Sequence, residues 1–589
     1  QASGPSCRRL PGRPALRPSG DPSHLSSGRP WGARGGPMQR AWLREFNGVG
    51  LQLRPAAAKL VTQFLTTCDD PTSVAEALVA HTKTYTRQLS GVTAAFIDQD
   101  VIQAVISTML EASKESAGGG LVQEADVKQS IQVGDLGDGT YVYNVLKDVK
   151  PCDYDRSSKA WVLSSKRPKL FPGCDVKSKI YADRYFILLQ RLLLENRLVT
   201  EAEAAAIGVM PNQRVLTPVE SLVGNPGRKL TFGLMSRVQD DKSRTWVIED
   251  LNKVYPVELE VDTTHHLMTD GSFVLAEGEV VGDKFRIQSL QVPDAVSRAV
   301  SLEKDLIPRQ GFGGDISEEQ LDLLATHESS PENDGMFVIL CEVHLDNPRV
   351  IEKLSDVFQG YEESSPPAAY IFMGSFCSSS FVPSADGVRL YKDGFERLKF
   401  MMKSLPNHVQ NGTRFVFIPG PQDPGAQTLP RMPLTNFYTS DLAKDIPNVI
   451  MASNPCRVRH FSRELVFFRH DVLRLLRRHE MLPLRDPQTG GAPSPQYLRE
   501  EMIRFLADQA HLVPLPLEES NILWAYDFAL RLYPLPHAAF IGGISEAFDC
   551  KHLDSTFCSV GPFFRDASFY AYYPIKDMLE PCDIPDRGA

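Results

Sequence analysis

The chain has 589 residues, a formal charge of −10, 42% hydrophobic and 23% charged residues. That length exceeds a single hydrophobic core and predicts three or four folded units. The acidic balance argues against a general nucleic-acid coat, which needs a basic groove to release counterions, and the lack of any run of 18 apolar residues predicts no membrane span.

The first forty residues hold seven arginines, one acid, no lysine and many Pro, Gly and Ser. Residues 1–39 therefore read as a disordered extension, or as sequence upstream of a true start at Met38. An organelle transit peptide is a competing reading, but no amphipathic helix accompanies the arginines. Residues 40–116 predict a small N-terminal helical domain. Ala56-Ala-Ala-Lys-Leu-Val-Thr-Gln-Phe-Leu65 spaces apolar residues by three and four, Asp70-Pro-Thr-Ser73 offers a cap, and a second stripe runs from Ile97 to Leu110. Such a domain is either a packing appendage or a docking module on a tether. Residues 117–180 read as a linker with local order, including a strand near Tyr141–Val145.

Residues 181–305 predict a helix and a barrel. Tyr181–Glu195 is one amphipathic helix; the period then changes to two. Leu230–Ser236, Trp246–Glu249, Val257–Val261, Ser272–Val281 and Lys284–Leu290 are five short strands with tight turns, which suggests an OB-fold. Such barrels often bind single strands through basic grooves. Here Glu258, Glu260, Asp262, Glu277 and Glu279 crowd the strands, so a protein-facing barrel is the preferred reading.

From residue 306 to 589, apolar strands alternate with helices, which implies a sheet covered by helices and functional loops at the strand ends. The strands are Phe337–Leu340, Tyr370–Met373, Arg414–Ile418, Val449–Ala452, Glu464–Phe468 and Ala538–Ile541; Asn347–Phe358 and Gly394–Met402 read as helices. Pro424–Leu434 and Arg485–Tyr497 are Pro-rich loops.

The strand ends resemble part of a two-metal phosphoesterase site. Such a site takes about seven N/O ligands, written as D-x-H, G-D, G-N-H-[DE], a lone His and G-H-x-H, and a carboxylate must bridge two ions ~3.5–4 Å apart. Glu342-Val-His344 supplies an acid-x-His. The bridging acid is replaced by Ser375, the Asn and His by Pro421 and Gln422, and the paired histidines by Gly543 and Ser545. Asp423 remains, in a Pro-Gly-Pro-Gln-Asp-Pro-Gly turn signal. These eight positions read as a degenerate metal site holding no metal, with no catalytic residue. His470, His511 and His552 are lone histidines and are not expected to supply the missing ligands.

Other templates fail. The ten cysteines include no C-x-x-C, so no structural zinc is expected, and a reducing compartment is. Gly311-Phe-Gly-Gly-Asp315 lacks the lysine of a phosphate loop and reads as a turn. No cofactor is implied.

An ordered set of segments carries a family resemblance: Asp183-Arg-Tyr, the five-strand barrel, Ala276-Glu-Gly278, Gly311-Phe-Gly-Gly314, Val343-His-Leu-Asp346, Pro419-Gly-Pro-Gln-Asp-Pro-Gly425, Leu429-Pro-Arg-Met-Pro-Leu434, Ser453-Asn-Pro-Cys-Arg457, His511-Leu-Val-Pro-Leu-Pro516 and Trp524-Ala-Tyr-Asp-Phe-Ala-Leu-Arg-Leu-Tyr-Pro-Leu-Pro536. From about Met38 to near the last residue the chain resembles the B subunits of eukaryotic DNA polymerase epsilon. The resemblance implies a multidomain α/β protein: an N-terminal helical domain, an OB-fold and an inactive calcineurin-like phosphoesterase domain. It implies a non-catalytic nuclear subunit that holds the Cys-rich C-terminal domain of the catalytic subunit, reaches the replicative helicase through GINS, and meets DNA through the complex. Two alternatives stay open on the residues alone: a metal-dependent phosphoesterase or nuclease with a remodelled site, and a single-strand binder acting through the barrel.

Overall fold

The computed structural model describes residues 139–585, apart from 165, 195–196, 241–242, 304–305, 310–315 and 329–332. Before them it describes residues 46, 51–65, 78–79, 82, 96–97, 101–102 and 105–106. The 1–39 extension, the Asp70–Ser73 cap and Gly311–Asp315 lie outside the described residues. The chain divides into two compact units, residues 1–129 and 130–589.

In the first unit the Pro55–Leu65 helix buries Ala57, Val61 and Leu65 against Phe46, Leu78, Ile102 and Val105. Ile97, expected to open a helix, instead lies in a two-residue strand, Phe96–Ile97, paired in parallel with Gln52–Leu53.

The second unit is built on two six-stranded sheets. The first runs Val449–Met451, Arg414–Ile418, Ala369–Met373, Phe337–Cys341, Ser568–Tyr573, Met578–Asp583; its first four strands are parallel. The second runs Phe548–His552, Ser555–Val560, Ala538–Gly542, Arg463–Arg469, Cys456–His460, Thr140–Asn144, with a parallel centre. The central strands are continuous apolar runs because both their faces are covered. Phe337, Ile339, Met373, Val416, Leu465, Phe467 and Phe540 pack between the sheets. The Pro348–Glu363 and Ala385–Lys403 helices bury Leu354, Phe358, Tyr391 and Phe395 on the outer face of the first sheet. The Val472–Arg478 and Pro495–Asp508 helices bury Leu473, Leu476, Met502 and Leu506 on the outer face of the second. Parallel strands in both sheets bring Cys341, Met373, Ile418, Arg469 and Gly542 to the carboxyl ends of their strands.

Gly227–Asp240, Ser243–Glu249, Val254–Leu259, Ser272–Val281 and Lys284–Gln291 close into a barrel. Alternation sorts its residues. Met235, Ile248, Val257, Val274, Phe285 and Ile287 fill the interior, while Phe232, Leu234, Phe273 and Leu275 face the Asp175–Leu194 helix.

The linker expected over residues 117–180 is corrected over its described part. Thr140–Asn144 is an edge strand on Cys456–His460. Cys152–Asp155 and Ala160–Leu163 form a hairpin that buries Cys152 and Trp161 against Ile187 and Leu188. The Asp175–Leu194 helix begins six residues before Tyr181. The breakers Lys150-Pro151 and Arg167-Pro168 mark turns between packed elements, not an unpacked tether. Five strands of the two sheets went unread in the sequence: Cys456–His460, Phe548–His552, Ser555–Val560, Ser568–Tyr573 and Met578–Asp583. Among the described residues no helix is long and apolar enough to cross a membrane.

Candidate functional site

The carboxyl ends of the central strands converge where the sequence placed the degenerate metal ligands. Glu342 follows the Phe337–Cys341 strand with φ at +56°, a conformation that costs a non-glycine residue roughly 1–2 kcal/mol. The turn points its carboxylate into a knot of donors. The Ser375 amide donates to Glu342 Oε1 at 2.7 Å, and His344 Nε2 lies 2.9 Å from Oε2. The His344 ring stacks on Phe564 with centroids 4.4 Å apart.

The residue that organises this knot was not among those singled out in the sequence. Arg469 ends the Arg463–Arg469 strand and is fully buried. Its Nη2 and Nε donate to Glu342 Oε1 at 2.5 and 3.0 Å. Nε also donates to the Gly374 carbonyl at 2.6 Å, and Nη1 to the Gly542 carbonyl at 3.3 Å and to Asp471 Oδ1 at 3.1 Å. One guanidinium thus joins the ends of strands from both sheets. Burial alone would raise the Glu342 carboxyl, but the His344 hydrogen bond and the Arg469 charge outweigh it and hold its pKa at about 2. The signal that could have found Arg469 is the polar triplet Arg469-His470-Asp471 closing an apolar strand.

Asp423 serves a second knot. It is buried and accepts from the Gly420 amide at 2.6 Å, the Phe376 amide at 2.8 Å and the Tyr391 hydroxyl at 2.7 Å. Burial pushes its carboxyl above the usual range, against those donors. Arg431 clamps the Asp423 carbonyl at 2.8 Å, and Asn454 donates to the Pro419 and Arg469 carbonyls at 2.9 and 2.7 Å. The glycines here are required by proximity. A Cβ on Gly374 would sit 2.0 Å from Asp423 Oδ2, and one on Gly420 would sit 2.7 Å from Ser375 N.

The other positions do not join these knots through their side chains. Ser375 Oγ is buried without a hydrogen-bond partner among the described residues. Gln422 is exposed, and Pro421 contributes only its carbonyl, to Gln427 and Arg431. Gly543 lies beside Asp471, its amide directed to the Val560 carbonyl. Ser545 lines a separate groove. His470 stacks on Phe468, and burial lowers its pKa to about 4. His511 belongs to another cluster, around Asp527, and His552 to the Phe548–His552 strand. Among the described residues no three His, Cys, Asp or Glu side chains converge to hold a metal ion.

A third buried cluster joins three of the sequence segments that carried the resemblance. Asp527 accepts from Arg184 at 2.6 Å and Arg531 at 3.3 Å, with His511 Nε2 at 3.2 Å. Arg531 in turn donates to Asp183 at 2.7 Å. The Asp175–Leu194 helix is thereby pinned to the Trp524–Leu530 turn.

Comparison with known proteins agrees with this architecture. A family model describing the B subunit of DNA polymerases alpha and epsilon matches residues 337–550. A second, described as the OB-fold domain of DNA polymerase epsilon subunit 2-like proteins, matches residues 174–294. The chain is 32% identical to the DNA polymerase epsilon B subunit of Arabidopsis thaliana over 431 residues, covering 72% of this chain and 80% of the relative. It is 27% identical to DNA polymerase epsilon subunit 2 of Bos taurus over 560 residues, covering 91% and 97%. To the Homo sapiens subunit 2 it is 28% identical over 498 residues, covering 81% and 88%. These matches span the barrel and the paired sheets alike, and the chain belongs to the family of DNA polymerase epsilon B subunits.

Proposed function

We propose that the chain is a non-catalytic, scaffolding member of its family, built on a phosphoesterase-like pair of sheets whose metal chemistry has been replaced by an arginine. The observation that carries this reading is Arg469. Its guanidinium takes Glu342, the acid of the acid-x-His pair, together with the Gly374 and Gly542 carbonyls. These residues do not fit a dinuclear metal centre. A dication ~4 Å from a guanidinium is opposed by roughly 8 kcal/mol at an effective dielectric of about 20, and Ser375 offers no bridging carboxylate to offset it. Asp423 is spent on backbone amides and Tyr391. What these groups do chemically is hold strand ends together: each of the two carboxylates fixes loops from more than one strand.

Membership of the family supports the proposed role. The chain acts within the polymerase epsilon complex, in the nucleus, holding the Cys-rich C-terminal domain of the catalytic subunit and linking it through GINS to the replicative helicase, with DNA contacted through the complex. Two experiments test it. Metal analysis of the purified chain, with phosphodiester and phosphomonoester assays in added manganese, is expected to give less than one equivalent of metal and no turnover. Co-expression with the C-terminal region of the catalytic subunit is expected to give a stable complex. Two equivalents of Mn, Zn or Fe would overturn the non-catalytic half, and failure to co-purify would overturn the scaffold half. A single-strand-binding barrel is less favoured, because Glu258 and Glu277 engage Arg286, Arg214 and Arg228 in ion pairs and tie up barrel cations.

A further inference from the structure

Outside the second sheet, the Val472–Arg478 helix, the start of the Pro495–Asp508 helix and the loop after Gly543 enclose a groove of about 680 Å³. Its rim carries Arg474, Arg477, Arg478 and Arg499 against one acid, Glu546. Glu546 is already engaged by Arg499. Arg474, Arg477 and Arg478 are exposed and make no ion pair or side-chain hydrogen bond among the described residues. The helix dipole favours cations in a last turn, which accounts for Arg477 and Arg478. It does not account for Arg474, a turn earlier, or for Arg499 on a second helix. The floor is apolar: Leu473 and Met502 are buried, and Leu498 and Phe548 are half-buried on the same core. In a chain of net charge −10, this rim reverses the local sign.

We infer that this groove docks a short acidic segment of a partner protein that also carries large apolar side chains. Carboxylates would pair with the free guanidiniums, and an apolar side chain would cover the floor. Nucleic acid fits less well. Base stacking needs an open aromatic face, and Phe548, the one aromatic lining the groove, is overlaid by Arg499 with its guanidinium carbon 5.6 Å from the ring centroid. The inference does not depend on the non-catalytic reading of the strand ends, and its test involves no metal.

The test titrates the full chain by fluorescence anisotropy, near physiological salt, with a labelled peptide alternating Glu or Asp with Leu or Phe. Saturable binding is expected. The triple variant Arg474→Glu, Arg477→Glu, Arg478→Glu should weaken it about tenfold or more, since close charge pairs are replaced by repulsion. The three positions are exposed, so the fold should persist, with the circular-dichroism melt lowered by a few degrees at most because Glu replaces Arg477 and Arg478 in the last turn; Arg474→Glu alone, expected to weaken binding about threefold, decides the matter if the triple variant misfolds. A peptide with its acids changed to Gln, and an oligo-glutamate of equal charge, should each bind at least several-fold more weakly. The inference is overturned if the acidic peptide does not bind, if charge reversal leaves affinity unchanged, or if oligo-glutamate binds equally well. It is also overturned if a single-stranded oligonucleotide binds more tightly than the peptide and is lost in the same variant.

Discussion

Arg469 and Asp527 each centre a buried charged cluster, yet the two are wired differently. Around Asp527, two arginines face two aspartates, and the partners are side chains: Arg184, Arg531, Asp183 and His511. The charges balance within the cluster, and the ion pairs bind a helix to a turn. Around Arg469, one guanidinium faces Glu342 and Asp471, and much of its hydrogen bonding goes to backbone carbonyls at strand ends. The first cluster is an inter-element clamp. The second is a tie in which a single cation joins strand ends from both sheets. Burial of an arginine does not by itself reveal its purpose; what it faces does.

The comparison can be broken most severely at Asp527. Asp527→Ala leaves Arg184 buried without its carboxylate and Arg531 with Asp183 alone, an unmatched buried charge that costs about 3–5 kcal/mol. Urea denaturation should show a large loss in midpoint, and limited proteolysis should release the hairpin and the Asp175–Leu194 helix early. If stability changed by less than about 1 kcal/mol, the clamp reading would be wrong.

Glu342→Gln should cost less, about 2–3 kcal/mol, because Arg469 keeps two carbonyls and Asp471. Pairing it with Arg469→Met should recover most of the loss, since removing both charges removes the uncompensated one. A double variant as unstable as the sum of the singles would mean that the two residues act independently.

Acid sharpens the same contrast. Glu342 has its folded pKa lowered to about 2. Its stabilisation is therefore complete above the unfolded carboxylate range near 4.5 and is lost as pH falls from there toward 2. Other carboxylates contribute to acid unfolding, so the readout is the stability gap between the parent and Glu342→Gln. That gap should be constant from pH 7 to about 5 and narrow below it. A gap that widened on acidification would reverse the assigned sign.

Much of this architecture was legible because burial on both faces leaves a plain mark. Phe337–Cys341 and Ala369–Met373 are apolar throughout and are buried throughout. The barrel strands were legible by their alternation. Cys456–His460 was not, because Arg457, Arg459 and His460 read as a solvated face. They are buried instead: Arg457 pairs with Glu464 at 2.9 Å, and His460 bonds Thr140 on the edge strand at 2.9 Å. Thr140–Asn144 was legible near its place, as Tyr141–Val145, but its pairing with Cys456–His460 was not. At the candidate site, the placement of Glu342, Ser375 and Asp423 after apolar strands was legible from spacing alone. The link to Arg469 was not, since Arg469 lies 127 residues from Glu342 and nothing local marks their meeting. The same distance problem hid the clamp: Asp183-Arg184, His511 and Asp527 were each noticed, but only the fold brings them together.

The smallest expected effect falls on Ser375. It reads in the sequence as a stand-in for a bridging acid; its hydroxyl is buried without a partner among the described residues. Its amide, not its side chain, serves Glu342. Ser375→Ala keeps that amide and deletes only an unsatisfied polar atom, so it should leave stability unchanged or raise it by up to about 1 kcal/mol. Thermal melting should then match or exceed the parent by a few degrees at most. A clear loss would mean that the hydroxyl holds something at the strand ends after all, and would count against the proposed replacement of metal by Arg469.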